Sequence, residues 1–165
     1  MPVVTSSVVV PVDAATAFAV SQSTGETRLR WDRFIREQWF TDGSTHPGKD
    51  VRTFTRHRLG FTMISRYVSY RPPTNVGMEM LRGPRFFRTF AGGWRFRPLE
   101  PAADGTPRTE AVWNYSFRCQ PRRLAPLLER IGGWVLQRDL DRRLAGYANG
   151  CQDPQVLAAV GDASR

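Results

Sequence analysis

The chain contains few of the residues that build disulfide frameworks, metal sites or lysine-rich surfaces. Its 165 residues include two cysteines, two histidines and a single lysine, Lys49. Cys119 and Cys151 have neither metal-binding nor redox spacing, and they predict unpaired thiols in a reducing cytoplasm. His46 and His57 are not spaced as metal ligands either. These shortages argue against a disulfide scaffold and against a metal site.

Long apolar runs and the common catalytic motifs are also missing. No stretch approaches the ~20 consecutive apolar residues of a membrane span. Residues 1–20 are apolar, but they lack a basic segment and are interrupted by Pro11 and Asp13, which argues against a signal peptide. There is no phosphate-binding glycine loop, nucleophile elbow or Cys/His dyad. We expect a cytoplasmic protein that acts without a metal or an organic cofactor.

The positive charge of the chain comes almost entirely from arginine. The formal net charge is +9. Such a surface could attract nucleic acid, anionic lipid or an acidic partner protein such as an acyl carrier protein. The arginines are spread along the chain rather than clustered, which is typical of a solvated surface. This scatter counts against nucleic-acid binding.

The hydrophobic pattern predicts one α+β domain over residues 1–150, followed by a flexible tail over 151–165. From residue 51 to 118 the apolar residues alternate with period two, in short segments that predict an antiparallel meander. The predicted elements are a strand at 5–12, short helices at 14–20 and 26–35, strands at 51–59, 61–70, 76–82, 86–97 and 109–118, and a long helix at 122–148. The long helix would span roughly 39 Å, about the diameter of a small domain.

The long helix carries its apolar residues on two faces. Pro126 fits only its first turn, and Gly132-Gly133 separates the two sets. One face has Leu124, Leu127, Leu128, Ile131 and Val135, and the nearly opposite one has Leu136, Leu140, Leu144 and Tyr147. A helix of this kind can be wrapped by one curved sheet.

Several segments resemble the START/birch-pollen-allergen superfamily, and within it the bacterial polyketide cyclase/dehydrase and lipid-transport group. They are VVVPVDAATAFAV (8–20), Trp31, YVSYRPP (67–73), GGWRF (92–96) and VWNYSF (112–117). The resemblance covers nearly all of residues 4–149 and rests on element order and scattered residues rather than on a catalytic signature. It implies a helix-grip fold, a curved antiparallel sheet around a long C-terminal helix with an internal cavity. Family members bind apolar small molecules there, and some cyclise or dehydrate aromatic polyketides.

The period-two alternation predicts which side chains face such a cavity. Arg52, Arg56 and Arg58 share one face of their strand, which we expect to be solvated, so His57 points inward. The same reasoning predicts inward positions on the other strands and on the helix, at Met63, Ser65, Tyr67, Met78, Met80, Arg82, Arg88, Phe90, Trp94, Trp113, Tyr115, Leu128 and Ile131.

These residues suggest both catalytic and structural roles. His57 could transfer a proton near neutral pH, and Tyr67 and Tyr115 could donate hydrogen bonds to a developing enolate or phenolate oxygen. Arg82 or Arg88 could hold a carboxylate or carbonyl at the cavity mouth. Alternatively, the histidine and tyrosines are hydrogen-bonded core residues, and the arginines extend to water.

Three functions remain open from the sequence. The first is cyclisation or dehydration of an apolar, polyketide-like molecule bound in the cavity. The second is a non-catalytic carrier or sensor of a lipid or quinone-like ligand. The third is a basic protein that binds RNA or a ribosome.

Overall fold

The computed structural model describes residues 1–162, which form a seven-stranded antiparallel sheet and four helices. The strands are β1 (Val3–Val10), β2 (Ile35–Phe40), β3 (Arg52–His57), β4 (Thr62–Arg71), β5 (Asn75–Arg82), β6 (Phe87–Leu99) and β7 (Arg108–Cys119). The helices are α1 (Ala14–Ser21), α2 (Gly25–Trp31), α3 (Ala125–Gly150) and α4 (Pro154–Asp162). The strands lie in the order β1-β7-β6-β5-β4-β3-β2, so the sheet follows the chain except that β1 pairs with the last strand. The predicted α+β helix-grip architecture is confirmed.

Helix α3 is anchored to the sheet through its C-terminal half. Leu140, Leu144 and Tyr147 are buried, and the Tyr147 hydroxyl donates a hydrogen bond of 2.7 Å to the Ala17 carbonyl oxygen. Several apolar residues at the start and in the N-terminal half of α3 are about half exposed or more, namely Leu124, Leu127, Ile131, Trp134 and Val135. The two apolar faces predicted for this helix therefore have different surroundings, the protein core and the edge of a cavity. No helix within residues 1–162 is both long and apolar enough to cross a membrane.

Gly132 permits a close approach between α3 and the sheet. A Cβ atom at this position would lie 3.3 Å from the Phe117 ring of β7. The helix runs unbroken through Gly132 and Gly133, and Pro126 lies in its first turn as predicted. The small residue thus sets the distance between the N-terminal half of α3 and the concave face of the sheet.

The predicted tail is replaced by a short helix as far as residue 162. Asp153 accepts a hydrogen bond of 2.8 Å from the Gln155 N–H and caps α4. Val156 and Val160, one turn apart, are buried against the core. The expectation of a flexible tail from residue 151 is therefore wrong for α4, because its apolar residues have helical spacing. The remainder of the predicted tail, 163–165, lies outside the described residues.

Strand β2 was not predicted, because Ile35 was assigned to the preceding helix and residues 36–40 to no element. Helix α2 ends at Trp31 and Ile35 begins β2. The buried Asp32 carboxylate accepts a hydrogen bond of 3.3 Å from the Phe34 N–H, a local turn that competes with the helix. The chain therefore changes from helix to strand within three residues of Asp32.

Candidate functional site

A cavity of about 500 Å³ lies between the concave face of the sheet and α3. This volume is within the range of small-molecule sites, roughly 300–1,000 Å³. Twelve of the fourteen residues predicted from the sequence line it, namely His57, Met63, Ser65, Tyr67, Met78, Met80, Phe90, Trp94, Trp113, Tyr115, Leu128 and Ile131. Their roles toward a ligand stay predictions. Most of the wall is apolar, so the polar atoms that interrupt it are the informative ones.

Arg82 was predicted to face the cavity but is exposed on the outside of the sheet. Ser65 pairs with Met80, whereas the preceding Ile64 pairs with Arg82, so Leu81 is an extra residue in β5. Such a β-bulge reverses the alternation of side chains beyond it. Arg82 therefore shares the outer face with Ile64.

Arg88 is also exposed, for the same reason on another strand. The register between β6 and β7 shifts between Phe87 and Thr89, so Arg88 is the extra residue of a second bulge. Phe87 and Phe90 both line the cavity as a result, and Arg88 points away from it. The prediction that Arg82 and Arg88 face the cavity is therefore wrong, and neither lines it.

His57 lines the cavity and has one ring nitrogen without a protein partner among residues 1–162. Its Nδ1 accepts a hydrogen bond of 2.9 Å from the Leu59 N–H, so the neutral ring carries its proton on Nε2. Nε2 is buried and has no hydrogen-bond partner among the described residues. Burial lowers the pKa of His57, and the nearby charge of Arg143 lowers it further. His57 is therefore a neutral hydrogen-bond donor at pH 7 rather than a base.

Two further buried polar atoms beside His57 also have no partner within residues 1–162. They are Gln38 Oε1 and Thr53 Oγ1. Gln38 lies opposite Thr55 in the sheet, and its Nε2 donates to Thr55 Oγ1 at 3.1 Å. We call Gln38, Thr53, Thr55 and His57 the polar strip; all four line the cavity. Gln38 could not be found from the sequence because β2 was not predicted.

The two tyrosines predicted as donors differ in what their hydroxyl protons do. Tyr67 donates its proton to Gln22 Oε1 at 3.0 Å, and burial raises its pKa well above the ordinary value. The Tyr115 hydroxyl instead accepts a hydrogen bond of 2.7 Å from Arg143 Nη1. Burial raises the pKa of Tyr115 to about 12. Tyr115 is therefore protonated at neutral pH, with its own proton available to a ligand.

Two arginines and one aspartate form a buried charged cluster beside the cavity, which we call the Arg–Asp–Arg cluster. Asp32 contacts Arg28 Nη2 at 2.9 Å and Arg143 Nη2 at 2.7 Å. Burial acts to raise the pKa of Asp32, but the charges of Arg143 and Arg28 outweigh it and hold that pKa below its ordinary value. Asp32 is therefore ionised. Both arginines line the cavity, and neither was predicted.

A carboxyl group at Asp139 completes the polar part of the wall. Asp139 is partly buried and lies one helical turn before Arg143 on the face of α3 that lines the cavity. Burial raises its pKa to about 6, and the charge of Asp32 adds to this rise. Groups with such pKa values are suited to proton transfer near neutral pH. Asp139 and Arg143 could have been found from the sequence, because they share the helical spacing of Leu136 and Leu140. Only the apolar residues of that helix face were considered in the prediction.

The cavity opens to solvent between the β3–β4 turn and the N-terminal half of α3. Apolar side chains line this opening although they are 43–77% exposed, and we call them the apolar rim: Leu59, Phe61, Phe86, Ile131 and Val135. The Phe61 and Phe86 rings are in edge contact, with 6.1 Å between centroids. Exposed apolar patches commonly mark binding sites.

A curved sheet that grips a long C-terminal helix over an apolar cavity with a few convergent polar groups defines a helix-grip, ligand-binding protein. The family is shown by a match over residues 1–149, and the chain belongs to the polyketide cyclase/dehydrase and lipid-transport family. This confirms the resemblance noted in the sequence. No match is found among curated proteins.

Solved structures similar to this chain support the fold. A Thermus thermophilus protein, TTHA0849, is 14% identical with a TM-score of 0.71, covering 96% of this chain and 99% of its own. The di-domain ARO/CYC BexL from the BE-7585A biosynthetic pathway is 10% identical with a TM-score of 0.70, covering 92% of this chain and 47% of its own. Ara h 8.0201 is 13% identical with a TM-score of 0.59, covering 92% of this chain and 99% of its own. At these identities the likeness concerns the fold alone.

Proposed function

We propose that the protein binds a flat, polyketide-like molecule in its cavity and catalyses its cyclisation or dehydration. The observation that carries this proposal is the set of three unpartnered buried atoms, Gln38 Oε1, Thr53 Oγ1 and His57 Nε2, on one side of an apolar cavity. Leaving a buried polar group unsatisfied costs about 1–3 kcal/mol, so a protein rarely keeps three together without a use. A ligand with carbonyl and hydroxyl groups along one edge would satisfy all three.

Proton transfer is assigned to Asp139 and hydrogen-bond donation to His57 and Tyr115. The Asp139 carboxylate removes a proton from the carbon between two carbonyl groups, and His57 Nε2–H and the Tyr115 hydroxyl stabilise the enolate oxygen. The enolate carbon then attacks a second carbonyl carbon, and the alkoxide that forms takes the proton back from Asp139 and becomes a hydroxyl. For dehydration, the Asp139 carboxylate removes the remaining proton from the carbon between the carbonyl groups. The enolate then forms a C=C bond by expelling the hydroxyl group, which takes this proton from Asp139 and leaves as water. Tyr67 has a positioning role, since its proton is held by Gln22.

A partner that delivers the substrate would dock at the apolar rim, and we propose an acidic protein such as an acyl carrier protein. Arg82, Arg85 and Arg88 lie at the end of β5, on the β5–β6 connection and at the start of β6, close in sequence to Phe86 of the rim, and all three are exposed. None of them forms a salt bridge within residues 1–162. Positive groups beside an apolar opening favour an acidic partner and make its association dependent on salt.

A non-catalytic carrier or sensor of a lipid or quinone-like ligand is the second candidate. The exposed apolar rim favours it, since a transferred apolar ligand must leave the cavity across an apolar surface. RNA binding is not proposed, because several arginines on the outer face of the sheet are neutralised by adjacent acids. The pairs are Arg52–Asp42, Arg56–Glu37, Arg66–Glu79 and Arg97–Glu110.

The experiment that tests the proposed function has a binding arm and a turnover arm. A naphthalene sulfonate dye should gain fluorescence with the native protein and be displaced by flat aromatic compounds. A short poly-β-ketone should then be cyclised faster with the wild-type protein than with an Asp139→Asn variant. Dye binding with no turnover would favour the carrier. Absence of dye binding to the folded protein would contradict both.

A further inference from the structure

The Arg–Asp–Arg cluster contains more positive than negative charge. Arg28 and Arg143 share the single carboxylate of Asp32, which also accepts the Phe34 N–H. Arg28, Asp32 and the side chain of Arg143 are largely withdrawn from solvent. Holding an unbalanced charge in such a place is costly unless another group compensates for it. A salt bridge that only joined α2 to α3 would need one arginine.

The unused hydrogen-bond donors of the two guanidinium groups lie beside the cavity. A guanidinium has five N–H bonds. Arg28 contacts Asp32 through Nε and Nη2 and the Ser21 carbonyl oxygen through Nη1. Arg143 contacts Asp32 through Nε and Nη2 and Tyr115 through Nη1. Each arginine thus keeps two N–H bonds without a partner in the described part of the chain.

Aromatic rings fix the orientation of both guanidinium groups. Arg28 Cζ lies 4.0 Å from the centroid of the Trp31 ring, and Arg143 Cζ lies 4.5 Å from that of Trp113. Stacking covers the faces of the guanidinium planes and leaves their edges for hydrogen bonding. Two fixed donor edges beside an apolar cavity suit a planar, bidentate acceptor.

We propose that the ligand of this cavity carries a carboxylate group, which binds to Arg28 and Arg143 while its apolar body fills the rest of the space. This inference rests on the proposed function only in taking the cavity as the ligand site, and it needs no catalytic step. With the cavity empty, Asp139 supplies the second negative charge near Arg143. A bound carboxylate competes with Asp139 for the charge of Arg143.

The charges around Asp139 make acid binding dependent on pH. The groups near it are Arg142 and Arg143 on α3, Asp32 after α2, and Tyr115 on β7, with Arg28 and His57 beyond them at the cavity wall. The pKa of Asp139 is about 6, so at pH 5.5 it is mostly neutral and the site has one excess positive charge. A simple carboxylic acid, with a pKa of about 4, is still ionised at this pH. Binding of the acid should therefore tighten between pH 7.5 and 5.5.

The test compares 2-naphthoic acid with its methyl ester, which has a similar aromatic body but no charge. Fluorescence titration of the full chain at pH 6.5 should show the acid binding about 10- to 100-fold more tightly, the usual effect of charged hydrogen bonds. The preference should grow at pH 5.5 and shrink at pH 7.5. Equal affinities for acid and ester at all three pH values would overturn the proposal. If neither compound binds, the proposed function fails instead.

Variants with opposite changes of charge separate ligand binding from a structural clamp. Arg143→Gln should remove most of the preference for the acid. Asp32→Asn, which removes a negative charge and so raises the net charge of the site by one, should keep or increase that preference. Arg138→Gln is the matched control, since Arg138 is exposed on the same helix and does not line the cavity. If Arg143→Gln does not fold, the Arg28→Gln variant and the pH series on the wild-type protein distinguish ligand binding from a structural clamp. An unchanged acid-to-ester ratio in a folded Arg143→Gln variant would contradict the proposal.

Discussion

Replacing His57 with phenylalanine isolates the effect of one hydrogen-bond donor in the cavity wall. A phenyl ring is close in shape to imidazole, so the contact with Phe34, now 3.9 Å between ring centroids, should persist. The Leu59 N–H loses its acceptor, but Leu59 is 77% exposed, so water can replace it. The variant therefore tests donation to the ligand rather than folding.

We expect His57→Phe to lower kcat about 10²–10³-fold, or about 3–4 kcal/mol, the usual effect of removing one donor to a developing oxyanion. His57→Gln, which keeps an N–H donor, should recover part of the loss. Because the pKa of His57 lies below its ordinary value of 6.5, His57 should add no step to the pH–rate profile above pH 7. The assay follows cyclisation of a short poly-β-ketone by absorbance, with circular dichroism as the folding check.

The control for His57→Phe is the same substitution at His46, the other histidine, which is exposed and absent from the cavity wall. An unchanged rate per folded molecule in His57→Phe would refute the role of Nε2–H. A rise in KM with kcat unchanged would show instead that His57 binds the ligand equally before and during the reaction.

Three other substitutions test separate parts of the structure. Asp139→Asn should abolish the rise of kcat through pH 6. It should also raise Tm more at pH 7.5 than at pH 4. Because the pKa of Asp139 is raised in the folded protein, ionisation of its carboxyl group destabilises the native state as pH rises from about 4 to 6, and asparagine removes this cost. Equal gains in Tm at the two pH values would contradict this reasoning. Tyr147→Phe leaves the buried Ala17 carbonyl without its donor and should cost about 1–3 kcal/mol in urea unfolding, which an unchanged midpoint would disprove. Val156→Ala should destabilise the whole domain by about 1–3 kcal/mol; a loss confined to α4, with core amide exchange unchanged, would mean that α4 is a separate unit.

The regular strands made much of the cavity wall predictable. His57, Tyr67 and Tyr115 could be placed because alternation holds along β3 and β7, and along β4 as far as Tyr67, once one face is recognised as solvated. Alternation failed at Arg82 and Arg88, where one extra residue in the strand reverses the facing of those that follow. Local sequence contains little to indicate a bulge, because its cause lies in the pairing with another strand.

The Arg–Asp–Arg cluster could not be predicted from the sequence, for a different reason. Arg28 and Asp32 have the i,i+4 spacing of an ordinary surface pair, and nothing in α2 shows that both are buried. Their environment is decided by Arg143, which is 111 residues from Asp32 along the chain. A contact among three residues from separate elements depends on how the elements pack, and packing has no periodic signal.

The division of α3 into two halves has a consequence for how the cavity exchanges its contents. The C-terminal half is fixed in the core by the buried Leu140, Leu144 and Tyr147. The N-terminal half is held more weakly, by the partly buried Leu128 and Leu136 and by a hydrogen bond of 3.1 Å from the Cys119 N–H to Glu129. Displacing residues 125–136 would widen the opening while leaving the core intact. Such partial opening needs far less free energy than unfolding. We therefore expect ligand exchange to require only a local displacement of residues 125–136, while the core and the C-terminal half of α3 keep their packing.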